Sequence, residues 1–387
     1  MRREFFAGSN FSGRSAALLA LLQSAGVPAF FVGPYAEAAL SGLSSSVADE
    51  LAIYRGDPSQ PRPPFDALPI GSMLDRKPQS LSGGEQVLLA LHSFAQSPFD
   101  TIAVDTALEQ LDDVNRVTAL AYLGCGAFNV ALIDNRVIPP GWEIRSGTSP
   151  GRPFSIDWPA LTSAITPQRA QAMTVRGLGF AYPNGRQIFD GASVALKPAT
   201  AHRLSGANGA GKTTLLKILV GALAPAAGEV TLAGAAYRPW REGNRALALA
   251  TQNPDQQWCG ATLGEDMERR RAALRLRGDT NAINDARVAE FARALGIASL
   301  DQHLYELPLA ARKRVSWLWP LIGAHPWVML DEPTIGQDNP TRESLAHLLQ
   351  HMCASGHGVI FVTHDDDFAA LLPHRRLHIE NCRISSL

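Results

Sequence analysis

Nine residues from Gly206 to Thr214 hold three glycines (Gly206, Gly209, Gly211), Asn208, Lys212 and two threonines, Thr213 and Thr214. Glycines let a backbone curl tightly and turn its N–H groups toward an anion with no Cβ in the way. At this spacing Lys212 would supply a point charge to β- and γ-phosphates, and Thr213 a hydroxyl to Mg²⁺. The flanks fit: Ala201–Ser205 reads as a strand, and the run from Leu215 to Val220 is apolar at helical spacing. Strand, glycine turn and helix are the context a phosphate-binding loop requires, and the helix N-terminus adds positive potential there.

A second constellation stands 119 residues past Lys212. Trp327–Leu330 reads as a buried strand ending in Asp331 and Glu332, which puts two acids at the carboxyl end of a parallel strand, where open α/β sheets bind ligands. Asp331 would hold Mg²⁺, directly or through water, and Glu332 would polarise an attacking water. Asp-Glu-Pro is otherwise a common turn or helix-start string. A third strand, Gly358–Thr363, ends in His364, which can place an imidazole near the γ-phosphate, although a lone histidine after a strand is more often a surface residue. In this order the motifs resemble the ATP-binding cassette superfamily of ATPases. The resemblance covers about Met173 to the C-terminus and implies ATP and Mg²⁺. It implies that Tyr182, 24 residues before Gly206, stacks on adenine. By the same resemblance Gln252 senses Mg²⁺ and the γ-phosphate, Asp338 lies in the D-loop and His364 is the switch histidine.

The elements positioning these groups read as two copies of one unit. Leu81 to Gln86, containing Ser82, Gly83, Gly84, Glu85 and Gln86, is an intact signature motif of that family; its hydroxyl and glycine N–H groups can clamp a γ-phosphate presented by a facing domain. Ser82 to Asp105 is 23 residues and Asp105 to Asp112 is 7; Pro308 to Asp331 is 23 and Asp331 to Asp338 is 7. The first copy has lost chemistry. Arg14 stands at the lysine position in Gly8–Ser15, and a planar guanidinium does not replace a compact ammonium in a tight cradle. Thr106 replaces the glutamate after Asp105, Asp134 and Asn135 follow the third strand, and Pro34 stands where a glutamine is expected. Seven residues precede Gly8, too few for the strands and stacking aromatic that normally come first, unless Met1 is a misassigned start. The segment Arg14 to Pro34 is 20 residues against 40 for Lys212 to Gln252, so the shortening falls where the family keeps an antiparallel β subdomain.

The second copy shows the complementary loss, reading Leu307-Pro-Leu-Ala-Ala311 at its signature. Cassettes of this family face head to tail, each nucleotide lying between one P-loop and the other signature. The resemblance therefore implies one composite site with Lys212, Glu332, Ser82 and Gly84, and one degenerate site with Arg14, Ser15, Asp105 and Thr106. The bland alternative is a decayed structural remnant. The fold expected is α/β, two P-loop domains in tandem: a shortened cassette over 1–137, a Pro/Gly-rich linker over 138–172 and a complete cassette over 173–387.

The 387 residues, 46% apolar, suit two domains and exclude disorder as the main state. Thirty-five basic against 36 acidic residues give a net charge of −1, which argues against coating nucleic acid or an anionic membrane. Four scattered cysteines make neither a CxxC metal site nor a disulfide scaffold, and read as a reducing compartment. The basic start and the apolar run from Ala16 to Leu22 also admit a secretory leader, against which Arg14 and the polar Gly8–Ser15 weigh; that run is too short to span a membrane. The resemblance implies an ATP-hydrolysing subunit at the cytoplasmic face of a membrane, partnered by an integral membrane subunit. The stretch from Gln252 to Gln257 and Thr262–Asp266 resemble the energy-coupling-factor importers. Surface around Asp255 to Thr262, with Trp258, is then the expected contact, Trp258 being alternatively a residue packed in its own subdomain. The competing classes are a soluble tandem-cassette ATPase of translation or repair and a non-hydrolytic binding module.

Overall fold

Short apolar runs ending in polar turns become parallel strands in both halves of the chain. The computed structural model describes all residues except 1, 8–13, 27, 55–69, 137–138, 147–168, 245, 277–284, 298 and 323–324. The chain divides into two compact units, Met1–Pro153 with Ile335–Asn339, and Phe154–Thr334 with Pro340–Leu387.

The first unit carries β1 (Arg3–Ala7), β2 (Phe30–Val32), β3 (Thr101–Asp105), β4 (Asn129–Ile133) and β5 (Glu143–Ser146) in the order β2-β3-β4-β1-β5, every pairing parallel. Successive strand residues point to opposite faces. Phe5, Val104 and Leu132 join the core that holds Leu88, Leu91 and Phe94 of α3 (Gly83–Gln96), while Phe6, Ala103 and Ala131 pack with Leu18 of α1 (Arg14–Ala25). The apolar run from Ala16 to Leu22 is thus part of a helix whose Leu18 is buried in this core. The described residues of this unit also form the short α2 (Val47–Ile53) and α4 (Asp113–Cys125).

β5 lies inside the linker expected over 138–172, of which 138 and 147–168 fall outside the described residues. It is an edge strand with Ile144 exposed, so it shows no buried alternation; it is held by backbone pairing to β1 and by Arg145 Nη2 at 2.6 Å from the buried Glu4 Oε1. A strand fixed mainly by backbone bonds leaves little trace in its side chains.

In the second unit β6 (Met173–Ala181), β7 (Gln187–Leu196), β9 (Ala227–Leu232) and β10 (Ala235–Ala236) form an antiparallel sheet. The main sheet takes β8 (Ala201–Ser205), β11 (Leu247–Ala250), β12 (Trp327–Asp331), β13 (Gly358–Val362), β14 (Arg375–Glu380) and β15 (Arg383–Ser386), ordered β11-β12-β13-β8-β14-β15. All its pairings are parallel except β14 with β15. Every residue of β12 and β13 is buried, as expected of central strands covered on both faces. Met329 and Val362 pack on Leu215 and Leu216 of α5 (Lys212–Leu219); Leu330 and Phe361 face Met267 of α6 (Leu263–Leu276), Phe291 of α7 (Asp285–Ala294), Val315 of α8 (Leu309–Ser316) and Leu345 of α9 (Asn339–Ala354).

Ranked by chain order within its own sheet, the order β11-β12-β13-β8-β14 is that of β2-β3-β4-β1-β5. The antiparallel sheet has no counterpart among the described residues of the first unit, in keeping with the shorter Arg14–Pro34 segment. No helix among the described residues is long and apolar enough to cross a membrane.

Candidate functional site

The turn after β8 needs its glycines. Gly206, Gly209 and Gly211 have φ of 146°, 76° and 109°, conformations that L side chains rarely adopt. A Cβ on Gly206 would lie 2.7 Å from the Ile379 carbonyl oxygen, and one on Gly211 2.4 Å from Ile188 Cγ2. Gly211 caps α5 with no side-chain bond, so the positive helix end is left to a ligand. Lys212 Nζ curls back onto its own loop, donating to the carbonyls of Gly206 at 2.7 Å and Ala207 at 3.1 Å. The Asn208 Nδ2 is buried without a partner. Tyr182 reaches the same helix end, its hydroxyl 2.9 Å from Thr214 Oγ1 and its ring edge-on to Phe180. Arg186 Nη2 donates to the Gly209 carbonyl at 2.8 Å.

Because β12, β13 and β8 are parallel neighbours, their carboxyl ends fall at one edge. Thr213 Oγ1 donates to Asp331 Oδ2 at 2.6 Å. Burial pushes the Asp331 carboxyl above its usual range, with the like charge of Glu332 adding to this and the Thr213 hydrogen bond opposing it. Glu332 sits at φ 46°, its N–H bonded to the Val362 carbonyl at 3.0 Å. Its Oε2 accepts from the His364 N–H at 3.3 Å, and its Oε1, buried without a hydrogen bond, lies 3.6 Å from His364 Nε2. A hydroxyl beside a carboxylate, near a main-chain cradle for phosphate, suits a hard cation. No group of three or more His, Cys, Asp or Glu able to hold a metal is found among the described residues. Mg²⁺ with few protein ligands and the rest from phosphate fits that donor set, Thr213, Asp331 and Gln252 being the residues that would hold it.

Sequence reading missed Lys313. It is fully buried on α8, and Nζ donates to the carbonyls of Gln252 at 2.6 Å, Thr251 at 3.0 Å and Asp331 at 3.1 Å. Desolvation lowers its pKa to about 8 against the pull of Asp331 and Glu332. A lysine after a degenerate signature gave no local signal; only the fold brings these carbonyls together.

In the first unit Ser82 caps α3 in a reciprocal box: its Oγ accepts from the Glu85 N–H at 3.4 Å, and its own N–H donates to Glu85 Oε2 at 2.7 Å. Gly83 opens the helix, Gly84 is buried, and Gln86 Nε2 donates to the Pro78 carbonyl at 3.4 Å. Burial pushes the Glu85 carboxyl up, but hydrogen bonds from Arg76 and Ser82 outweigh it and hold it below the usual range. The hydroxyl accepts in this cap, so its proton is left to donate. Pro308, at the matching position before α8, makes no side-chain cap.

Ser15 hydrogen-bonds the buried Asp105, and Thr106 is left-handed at φ 57° with its N–H on the Ile133 carbonyl at 2.9 Å. These features match Thr213 with Asp331 and the backbone of Glu332. Arg14 is buried and donates to Asn135 Oδ1, whose Nδ2 in turn donates to Glu109 Oε1 at 2.8 Å; the glycine turn ahead of it, from Gly8 to Gly13, lies outside the described residues. Trp258 is half-buried and packs within its own unit: Nε1 donates to Asp255 Oδ1 at 3.0 Å and the ring stands edge-on to Trp319, centroids 5.6 Å apart.

A parallel sheet with a glycine cradle, a lysine and a threonine hydrogen-bonded to a buried aspartate at its strand ends defines a P-loop nucleotide-binding protein. Residues 189–335 match the family model described as ABC transporter. An ABC transporter ATP-binding protein of Streptomyces coelicolor is 35% identical over 203 residues, 51% of this chain and 70% of that one. The cobalt import ATP-binding protein CbiO of Rhodobacter capsulatus is 35% identical over 211 residues, 52% of this chain and 73% of that one. A Treponema denticola ABC transporter ATP-binding protein is 24% identical over 351 residues, 82% of this chain and 70% of that one. The chain belongs to the ATP-binding proteins of ABC transporters, which are ATPases.

Proposed function

We propose that this chain is the ATP-hydrolysing subunit of an energy-coupling-factor-like importer, holding two cassettes in one polypeptide and hydrolysing ATP at one composite site. The observation that carries this reading is the complementary loss. The half with Lys212, Glu332 and His364 has Pro308 in place of the signature serine, and the half with Ser82, Gly83 and Gly84 has Arg14 and Thr106 in place of the lysine and glutamate. The shared strand order and the left-handed Thr106 support the reading of two copies. Similarity to a cobalt import protein supports import, an integral membrane partner and a peripheral place at the cytoplasmic face; the near-zero net charge supports no role with nucleic acid.

In this reading the main-chain N–H groups around Gly206, Asn208, Gly209 and Gly211, with Lys212 and Thr214, hold the phosphates, and Tyr182 stacks on adenine. Glu332 orients and deprotonates the attacking water, held in place by the His364 N–H. Ser82 and the Gly84 N–H donate to the γ-phosphate as charge shifts. Mg²⁺ supplies neutralisation of phosphate charge when bound.

Purified chain, with its membrane partner if activity needs it, should hydrolyse one MgATP per chain in a single turnover. Lys212→Ala should abolish nucleotide binding. Two hydrolysed nucleotides per chain would overturn the asymmetric reading, and binding that survives Lys212→Ala would overturn the site.

A further inference from the structure

Lys313 is an ammonium taken wholly out of water whose three partners are main-chain carbonyls, with no carboxylate oxygen among them. Three donors meet three acceptors, so the group is saturated. Burying a cation still costs several kcal/mol, and a fold that needed only packing would place an apolar side chain here. The first unit does so. Five residues after Pro308 stands Lys313; five after Ser82 stands Val87, fully buried in the first core. There the carbonyl of Pro34, at the position matching Gln252, is satisfied instead by Gln110 Nε2. The helix can therefore pack without a cation, and the lysine is present in the half that has the glutamate.

We infer that Lys313 is a positioning residue for hydrolysis, a brace that fixes the Gln252 segment and the end of β12 to α8 at one point; the inference rests on the proposed ATPase reading. Its three carbonyl partners leave no proton of Nζ for a phosphate. Its bonds to the Gln252 and Asp331 carbonyls set where both side chains start, one residue before Glu332. A three-way brace at the point where two Mg²⁺-side residues meet governs the alignment of water and phosphate more than the strength of nucleotide binding, which is held by the glycine loop. Misplacement of a reacting group by about 1 Å costs on the order of 10²-fold in rate.

The test compares Lys313→Met, which keeps length and volume, with Lys313→Gln, which keeps a donor. Steady-state ATPase, affinity for a fluorescent ATP analogue and thermal unfolding are measured for each. The expected result for Lys313→Met is a kcat lowered about 10²-fold with near wild-type nucleotide affinity, and for Lys313→Gln a partial recovery of kcat. If Lys313→Met does not fold, Lys313→Gln alone must show the split between kcat and affinity. Wild-type kcat in a folded variant, or equal losses of kcat and affinity, would overturn the inference. A wild-type chain that hydrolyses no ATP, with its membrane partner present, would overturn the reading beneath it instead.

Discussion

Ser82 does two jobs in the proposed pairing, and one substitution separates them. Its Oγ accepts from the Glu85 N–H at 3.4 Å, at the long end of hydrogen bonding, while the companion bond from the Ser82 N–H to Glu85 Oε2 is 2.7 Å and uses only backbone of residue 82. Replacing a capping serine by alanine costs about 0.5–2 kcal/mol, and by glycine only a few tenths. The long cap bond puts Ser82→Ala at the lower end, near 0.5–1 kcal/mol by that scale, a loss of a few degrees in Tm. Ser82→Gly, at an ordinary φ of −67°, should fold like the wild type. Turnover follows the other job, because a positioned donor aimed at developing charge is worth on the order of 10²-fold, about 2.7 kcal/mol. Both variants should therefore lose about 10²-fold in kcat with little change in nucleotide affinity, and only Ser82→Ala should lose stability. The assays are steady-state phosphate release, fluorescent-nucleotide titration and thermal melting, with Pro308→Arg, expected to be tolerated, as the matched control. Wild-type turnover in Ser82→Gly would show that the hydroxyl only caps a helix.

Glu332→Gln should keep nucleotide binding, since an amide oxygen can still accept from the His364 N–H, while losing about 10²–10⁴-fold in turnover; single-turnover hydrolysis close to wild type would remove Glu332 as general base. Gly211→Ala should lose nucleotide binding and about 2–4 kcal/mol of stability, because its Cβ meets Ile188 Cγ2 at 2.4 Å and φ is 109°. Gly234→Ala, with φ 83° and open space around the Cβ, should cost only about 1 kcal/mol; a similar loss in both, measured by chemical denaturation, would show that strain rather than contact governs Gly211.

What could be read from the chain and what could not divide along physical lines. The glycine loop was legible because its requirement is local: positive φ and close approach each force glycine at fixed spacing. The strands bearing Asp331 and His364 were legible because a central parallel strand is apolar throughout. β5 was hidden, since an edge strand held by backbone pairing and a single Glu4–Arg145 contact has no buried face to mark it. Lys313 was hidden for the opposite reason: its partners are carbonyls of three separate residues, and a carbonyl has no residue type to recognise. Trp258, read two ways from sequence, has neighbours 3 and 61 residues away within its own unit, Asp255 and Trp319, and spacing alone could not show the second.

The same distinction bears on whether the first copy is a remnant or a working half. Thr106 is β-branched and sits at φ 57°, a conformation costing on the order of 1–3 kcal/mol that glycine or asparagine would relieve. The strain has no carboxylate to aim, for Thr106 has none. It persists with the Thr106 N–H bonded to the Ile133 carbonyl at 2.9 Å, as the Glu332 N–H is bonded to Val362 at 3.0 Å, and with Ser15 on Asp105 as Thr213 is on Asp331. On the proposed reading of two copies, groups that bind or cleave have been exchanged, whereas backbone that sets the shape of the strand ends has not. A remnant that served only as a folded mass would gain stability by relaxing Thr106, although the Ser82 hydroxyl would still serve it as a helix cap. Under the proposed pairing, a strained strand end kept in the same unit as an intact signature is what a half needs when its contribution is shape and a donor presented to a nucleotide held elsewhere.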